Sequence, residues 1–243
     1  MASFESVRRG VTHELRTLRG VLYRRLAGDE GRDHDVTTAF HKAYFNARDY
    51  NLTWRNTYWM GHPVLKCPLD LWLYQELVHR VRPSVIVETG TAYGGSALFL
   101  ASVCDMIDHG RMVTVDLTPQ ENRPEHRRIT YVSGSSTDEG VFKRVVDDIG
   151  TAAPVMVFLD SDHAQSHVQK ELDLYHRLVT PDSYLVVEDT NLNGHPVVPE
   201  HGPGPWEAVH QFVVAHPEFA HDREMDKFLL SFNPGGYLRR RGR

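Results

Sequence analysis

The sequence predicts an α/β fold built on a mostly parallel, seven-stranded sheet, and two observations support this prediction. Between residues 84 and 188, short apolar runs rich in β-branched side chains alternate with stretches of helical period, as expected for parallel strands joined by helices. The first run, Val85–Val87, leads into a glycine-rich turn and a helix start. The 243 residues suffice for one large α/β domain but not comfortably for two.

The apolar periodicity places each element along the chain. Strands are expected at residues 85–88, 112–116, 129–133, 155–159, 184–188, 227–232 and 237–239. Helices are expected at residues 69–81, 95–107, 138–149, 164–179 and 206–215. Ser136 and Glu139 form a capping-box pattern before one of these helices. The turn at residues 233–236 makes the last two strands an antiparallel hairpin.

The N-terminal part of the chain has a different character. Residues 7–26 carry apolar side chains three and four apart, which predicts an amphipathic helix, and the polar residues 28–35 are expected to form a loop. Residues 46–72 are rich in aromatic side chains without periodicity. We therefore expect a helical and irregular extension over residues 1–68 and a catalytic domain over residues 69–243. The extension could cap its own domain, serve as a substrate lid or join subunits of a homo-oligomer.

Composition narrows the class of protein and its surroundings. The net charge of -5 argues against a general nucleic-acid or membrane surface. Two cysteines, Cys67 and Cys104, have no metal or redox spacing, which indicates a reducing compartment. No apolar run approaches the ~18 residues of a membrane span, and the N-terminus has no apolar signal region. We expect a soluble, cytoplasmic protein that acts on a small molecule.

The glycine-rich turn has the features of a ligand site. Glu88 closes the first strand, and the glycines that follow let the backbone turn tightly and approach a ligand without an intervening Cβ. The spacing from Gly90 to Gly95 matches a phosphate-binding P-loop, but Ser96 stands where its lysine should be. Because Glu88 would repel a phosphate, the turn favours a cationic ligand such as a sulfonium. A purely structural βα turn is the alternative.

Acidic residues end the other predicted strands. Ligands of open α/β sheets bind at the carboxyl ends of the strands, so Asp116, after the second strand, is placed to accept the hydroxyl protons of a ribose. Asp160, Glu188 and Asp189 end two strands that we expect to be neighbours. Such carboxylates repel one another unless a cation lies between them, and their hard oxygens suit Mg²⁺, Mn²⁺ or Ca²⁺. Neutralisation by arginine or lysine, or dispersal in solvent, is the alternative.

Histidines supply candidates for proton transfer. His163 follows Asp160 by three residues, within reach of the same pocket, and an imidazole is the usual general base for a hydroxyl. His195 and His201 lie in a long loop rich in proline and glycine and are secondary candidates for substrate contact. Solvent exposure would equally explain those two.

Three motifs together resemble a known family. They are E-T-G-x-x-x-G-G-S at residues 88–96, D-x-x-H at residues 160–163 and V-E-D-T at residues 187–190. The segments at residues 66–76 and 204–208 are similar as well. The family joins cephalosporin hydroxylase-type proteins with macrolide and rhamnosyl sugar O-methyltransferases. The likeness runs from about Trp59 to the C-terminus.

The resemblance implies a Rossmann-like class I fold that binds S-adenosylmethionine (SAM), with Mg²⁺ on Asp160, Glu188 and Asp189 and with His163 as the base. Asp160 would serve catalysis and border the cofactor as well. The remaining cofactor contacts implied by the family are, from the methionine end to the ribose and the adenine, Glu88, Thr89, Gly90, Tyr93, Gly94, Ser96, Asp116, Ser135 and Ser136. Many methyltransferases carry an acid where Ser135 and Ser136 stand here.

These observations favour a SAM- and Mg²⁺-dependent O-methyltransferase that modifies a deoxysugar hydroxyl of a natural product, as in antibiotic biosynthesis. A SAM-binding partner protein of cephalosporin 7α-hydroxylation or methoxylation is the first alternative. A metal-dependent hydrolase that uses the carboxylates without SAM, and a non-catalytic SAM-binding module, are the others.

Overall fold

A computed structural model describes residues 30–118 and 120–242. The chain divides between His41 and Lys42 into two compact units, and the site lies in the second, residues 42–243. The helix expected at residues 7–26 lies outside the described residues. The expected border between extension and catalytic domain at residues 68 and 69 stays a prediction. None of the described helices has the length and apolar character that crossing a membrane would require.

Seven strands form one sheet, as expected. In chain order they are β1 (Val85–Thr89), β2 (Arg111–Asp116), β3 (Ile129–Ser133), β4 (Val155–Leu159), β5 (Tyr184–Val187), β6 (Phe219–His221) and β7 (Tyr237–Arg240). Their order across the sheet is β3-β2-β1-β4-β5-β7-β6. The first five run parallel, and β7 lies antiparallel between β5 and β6. The order reverses between β1 and β4, which is where open α/β sheets bind ligands.

The described helices are α1 (Glu30–Asn46), α2 (Pro68–Val81), α3 (Gly95–Met106), α4 (Glu139–Ile149), α5 (Gln165–Tyr175) and α6 (Pro205–Ala215). Short 3-10 turns occupy Ala47–Tyr50, Thr53–Asn56 and Arg223–Asp226. A short β-hairpin precedes α2; its two strands, Tyr58–Trp59 and His62–Pro63, have two residues each.

The sheet is buried on both faces because its strand residues alternate between two apolar layers. Val85 and Val87 of β1 face one layer, where α4, α5 and α6 contribute residues such as Leu172 and Phe212. Ile86, between them, faces the other layer with α2 and α3. β1 is therefore fixed from both sides, and the turn that follows it is held in place.

A third apolar cluster forms beside the acidic end of the sheet. Phe45 stacks on Trp54 at 5.4 Å between ring centroids, and Phe232 meets both rings edge-on. Trp54 also donates its indole N–H to the carbonyl oxygen of Phe45 at 3.1 Å. Leu192 and Val197 of the long loop complete the cluster. Packing against its own domain therefore accounts for Trp54. Tyr58, in the same aromatic segment, is 59 % exposed.

Three local expectations were wrong. Residues 227–232 are not a strand: Leu230 and Phe232 turn into the third cluster, and Phe219–His221 pairs with β7 instead. Residues 30–35 are helical and not a loop, since polar side chains such as glutamate and arginine favour a helix as well as a turn. The cap of α4 is Asp138, whose carboxylate accepts the backbone N–H of Val141 at 2.9 Å, so Ser136 is free for another role.

Candidate active site

The carboxyl ends of β4 and β5 bring the predicted acidic residues together. The two strands pair in register, Leu159 opposite Val187, so the residues that follow them start at the same edge of the sheet. Asp160 follows β4, and Glu188 and Asp189 follow β5. The sequence-based expectation that these strands are neighbours is confirmed.

Asp160, His163 and Asp189 form a cluster, called the acidic cluster below, with the geometry of a metal site. One potential ligand atom of each lies within 4.8 Å of the others. His163 Nε2 lies 3.2 Å from Asp189 Oδ2. Burial raises the pKa of the Asp189 carboxyl, an effect that His163 opposes and Asp160 reinforces. Two carboxylates and an imidazole are suitable donors for a divalent cation.

Glu188 belongs to a different arrangement. Its Oε2 accepts a hydrogen bond from the ammonium of Lys66 at 2.7 Å, and the same ammonium donates to Asp160 Oδ2 at 2.5 Å. Burial alone would lower the pKa of Lys66, but Asp160 and Glu188 outweigh it and hold this pKa well above its usual value. The other oxygen of Glu188 is buried and has no hydrogen-bond partner among the described residues. It is therefore available to a cation.

Lys66 is a site residue that was not predicted from the sequence. The signal available was a lone charge in the apolar run Val64-Leu65-Lys66-Cys67, where both Val64 and Cys67 are buried. Lysine is almost never fully buried without a partner, so its position implied a nearby carboxylate. The sequence could not say which one.

Gly90 joins the glycine-rich turn to the acidic cluster. Its φ is +88°, a left-handed conformation, and a Cβ placed on it would lie 1.8 Å from the carbonyl oxygen of Asp160. Gly90 N–H donates to Val115 O at 2.8 Å, and Asp160 N–H donates to Thr89 O at 3.0 Å. The turn after β1 and the start of the acidic cluster are therefore in direct backbone contact, as expected of glycine at a close approach.

Gly90→Ala is expected to destabilise the protein by roughly 3–5 kcal/mol, because left-handed strain adds to a backbone clash that no side chain can relieve. Urea unfolding of the metal-free protein measures this. Gly202→Ala is the matched control, since Gly202 has a similar φ of +82° with nothing within 4 Å. The control should lose only about 1–2 kcal/mol. Equal losses would show that the contact with Asp160 is unimportant.

The carboxylate of Glu88 is fully buried and satisfied by hydroxyl groups. Ser96 Oγ donates to Oε1 at 2.5 Å, and Thr114 Oγ1 donates to Oε2 at 2.7 Å. Burial raises the pKa of Glu88, against the effect of Lys66 and the two hydroxyls. The predicted cofactor residues Glu88 and Ser96 thus hold each other beneath the turn. Thr89, also buried, keeps a hydroxyl without a partner among the described residues.

Asp116 is tied to the same turn. Its carboxylate accepts backbone N–H groups of Ala92 and Thr118, both at 2.8 Å. Arg123 lies 3.1 Å from Asp116 Oδ2 and donates to the carbonyl oxygen of Ala92 at 2.8 Å. The structure places Asp116 beside the turn, as predicted, and adds Arg123, which the sequence did not suggest. A carboxylate can accept about four hydrogen bonds, so one acceptor position of Asp116 has no partner among the residues that the structure describes.

A cavity of about 690 Å³ opens beside the turn. It is lined by Tyr93 together with residues 61–63 of the hairpin and residues 120–122. Gly94, next to Tyr93 in the chain, packs closely against Pro124, because a Cβ on it would lie 2.8 Å from that ring. No residue of the acidic cluster lines this cavity. Tyr93 is 50 % exposed and presents an aromatic ring that a ligand can reach.

Ser135 and Ser136 follow β3, but their contacts differ. Ser135 Oγ lies 3.0 Å from the hydroxyl of Thr137. Ser136 is buried, with its Oγ 3.2 Å from His167 Nε2. His167 also contacts Ser161, and Glu171 raises the pKa of His167 through a hydrogen bond. Ser136 therefore belongs to a buried polar network that reaches the residue after Asp160.

The long loop at residues 190–205 is fixed to the start of α6 by Glu207. The carboxylate accepts the Gly204 N–H and the Asn193 side-chain amide, both at 2.7 Å. His195 Nε2 lies 3.3 Å from it, and the His195 ring stacks on Trp206 at 4.4 Å between centroids. His201 is exposed. The two loop histidines are thus not brought into the acidic cluster, although the loop begins directly after Asp189.

Glu207 makes the stability of this loop dependent on pH. Its hydrogen bonds lower the pKa to about 2 despite partial burial, below the usual value of 4.5. Its contribution is therefore complete above pH 4.5 and is lost as the pH falls towards 2. At pH 7, Glu207→Gln should destabilise the protein by about 1–2 kcal/mol, after discounting for solvent screening. Urea unfolding at pH 7 and pH 3.5 should show a smaller difference at the lower pH; a constant difference would contradict the ionic role.

Comparisons with known proteins identify the family of the chain. A family model described as rhamnosyl O-methyltransferase/CmcI matches residues 51–241. The chain is 38 % identical over 211 residues to the rhamnosyl O-methyltransferase of Mycobacterium tuberculosis, covering 84 % of each protein. It is 36 % identical over 213 residues to the Mycobacterium leprae protein of the same name, covering 85 % of this chain and 91 % of the relative.

Solved structures show a similar fold. An apo structure of CmcI matches with a TM-score of 0.60 and 20 % identity over 77 % of each chain. CmcI with Mg and SAM matches with a TM-score of 0.60 and 19 % identity, over 76 % of this chain and 77 % of that one. A putative caffeoyl-CoA O-methyltransferase from Staphylococcus aureus matches with a TM-score of 0.52 and 17 % identity, over 76 % and 88 %. The predicted class I methyltransferase fold is confirmed.

Proposed function

Since the chain belongs to the rhamnosyl O-methyltransferase/CmcI family and is an O-methyltransferase, we propose that it transfers a methyl group from SAM to a sugar hydroxyl, with a divalent ion such as Mg²⁺ bound at the acidic cluster. The observation that carries this proposal is the backbone contact of Gly90 with Asp160, which sets the glycine-rich turn directly against the cluster of Asp160, His163 and Asp189. A donor and an acceptor bound at these two places would be neighbours.

The residues around Gly90 fit SAM. The turn offers backbone without a Cβ at Gly90, a buried negative charge at Glu88 and an unpartnered hydroxyl at Thr89. Asp116 has acceptor capacity left for a ribose hydroxyl. SAM supplies a methyl group on a good leaving group, so the protein mainly has to position the nucleophile and assist its deprotonation. Assignment of Tyr93, Gly94, Ser135 and Ser136 to the rest of the cofactor remains part of the proposal.

The residues around Asp160 fit a hard divalent cation. Asp160 and Asp189 would hold it, joined by Glu188, whose second oxygen is buried without a partner among the described residues. Bound there, such an ion would supply a Lewis acid that lowers the pKa of a sugar hydroxyl. His163 would receive the hydroxyl proton on the ring nitrogen that does not face Asp189, while the sugar oxygen bonds to the methyl carbon and the methyl–sulfur bond of SAM breaks to release S-adenosylhomocysteine. Asp189, 3.2 Å from His163 Nε2, orients that ring and stabilises the imidazolium that forms.

The names of two mycobacterial relatives, both rhamnosyl O-methyltransferases, support an acceptor class. We propose a rhamnosyl-type deoxysugar carried by a larger natural product. A sugar with two adjacent hydroxyl groups suits a cation that offers open positions beside a base. The rest of the product would lie along the loop at residues 190–205, which Leu192 anchors in the buried third apolar cluster.

The experiment is transfer of isotopically labelled methyl from SAM to a panel of rhamnosylated and other glycosylated metabolites, run with Mg²⁺ and with EDTA. Labelled product only with Mg²⁺ is the expected result. Labelled product in EDTA would overturn the metal requirement and keep the methyl transfer. SAM binding without transfer to any glycoside would overturn the sugar acceptor, and β-lactam precursors would be tested next, because CmcI shares the family.

A further inference from the structure

Lys66 is held beside Asp160 and Glu188 by its position in the chain. It lies between the hairpin that ends at Pro63 and helix α2, which starts at Pro68. Its side chain is only 6 % exposed, and Val64 and Cys67 beside it are buried. The backbone cannot release it easily, because Cys67 O accepts the N–H groups of Asp70 and Leu71 at the start of α2. The ammonium is thus fixed at the ends of β4 and β5.

The Lys66 ammonium neutralises carboxylates at this end of the sheet. Glu88 is satisfied by hydroxyl groups, so the carboxylates that need a cation are Asp160, Glu188 and Asp189. Lys66 contacts the first two at 2.5 and 2.7 Å. Asp160 therefore contacts the Lys66 ammonium and is also a candidate ligand of the metal, together with His163 and Asp189. The ammonium and a bound metal ion would both have to interact with this one carboxylate.

Building on the divalent ion of the proposed function, we propose that Lys66 is a resident counter-ion that competes with this ion for Asp160 and Glu188. Without metal, the ammonium holds the two carboxylates together and prevents their mutual repulsion. An ion that binds Asp160 and Glu188 has to share or displace these contacts while it repels the ammonium. Lys66 is accordingly a positioning residue that preforms the site and at the same time weakens its hold on the metal.

Mn²⁺ binding measured by electron paramagnetic resonance at pH 8, without SAM or acceptor, tests this. Lys66→Met removes the charge, and Lys66→Gln removes it while keeping hydrogen-bond donors, so that at least one variant should fold. Both are expected to bind Mn²⁺ at least roughly five-fold more tightly than the wild type, because Coulomb repulsion is removed. Lys66→Arg keeps the charge and should stay within about two-fold of the wild type.

Thermal unfolding in EDTA gives a second readout. Lys66→Met should unfold at a lower temperature than the wild type, and Mn²⁺ should raise its unfolding temperature more than that of the wild type. Lys227→Met is the matched control, since Lys227 pairs with Glu76 on the surface and is 40 % exposed. That variant should change neither Mn²⁺ affinity nor its effect on unfolding.

The outcomes separate this inference from the proposed function. Unchanged or weaker Mn²⁺ binding by both Lys66→Met and Lys66→Gln, with binding by the wild type intact, would overturn the competition and leave Lys66 with a purely structural role. Absence of Mn²⁺ binding in the wild type and in every variant would overturn the inference together with the metal requirement. Tighter binding confined to the Lys66 variants that lack the charge supports the inference.

Discussion

Asp189→Asn is expected to abolish metal-dependent turnover while leaving the affinity for SAM largely unchanged. The substitution removes one anionic oxygen from the cluster of Asp160, His163 and Asp189 and keeps the shape of the side chain. Asparagine also tolerates the left-handed backbone of this residue, whose φ is +54°. The fold should therefore survive, and the loss should fall on chemistry: we expect kcat to drop by at least roughly 10³-fold.

Labelled methyl transfer and SAM binding by calorimetry measure the two effects separately. Asp147→Asn is a suitable control, because Asp147 is 67 % exposed and, within the part of the chain that the structure describes, its ion pair is with Lys143 on the surface of α4. Equal loss of turnover and SAM affinity in Asp189→Asn would mean that the carboxylate supports the fold of the whole site. Full activity would remove Asp189 from the metal site.

His163→Ala is expected to lower kcat by roughly 10²- to 10⁴-fold, the usual effect of losing a general base. The imidazole lies 3.2 Å from Asp189 and borders the place where a hydroxyl on the cluster would be deprotonated. His79→Ala is the control, since His79 is exposed on α2. The KM for SAM should stay close to that of the wild type.

Metal binding decides between two roles of His163, because its ring nitrogen is also close enough to serve as a ligand. As a base, His163 can be removed with little change in Mn²⁺ affinity. A loss of Mn²⁺ affinity parallel to the loss of kcat would make it a ligand instead. Near-wild-type turnover of His163→Ala would exclude both roles.

The central sheet could be predicted from the sequence because each of its strands is encoded by a short run of consecutive residues. β-branched runs such as Val85–Val87 between helical periods define buried parallel strands, and each ends at an acidic or glycine residue. The edge of the sheet was harder. Phe219–His221 has three residues, too few for a pattern. Residues 227–232 are largely apolar, as a buried strand would be, but Leu230 and Phe232 pack in the third cluster instead.

The site, like the sheet, could be predicted from the sequence only in part. Asp160, Asp189 and His163 were predictable because strand ends converge, and the structure brings them together. The partners of these residues depend on contacts distant in sequence. Lys66 is 94 residues from Asp160 and 122 from Glu188, and Arg123 reaches back to Ala92 over 31 residues. A single sequence carries the charge of such residues but not their pairing.

The backbone contact between Gly90 and Asp160 limits how this chain could be adapted to other acceptors. It fixes the separation of the glycine-rich turn from the acidic cluster, so, under the proposed function, a larger acceptor would not be accommodated by moving one relative to the other. New acceptors have to be accommodated further out, by the loop held by Glu207 and by the aromatic segment around Trp54. Under the proposed function, the turn and the acidic cluster thus act as one rigid block, and acceptor preference would be set by the segments around it.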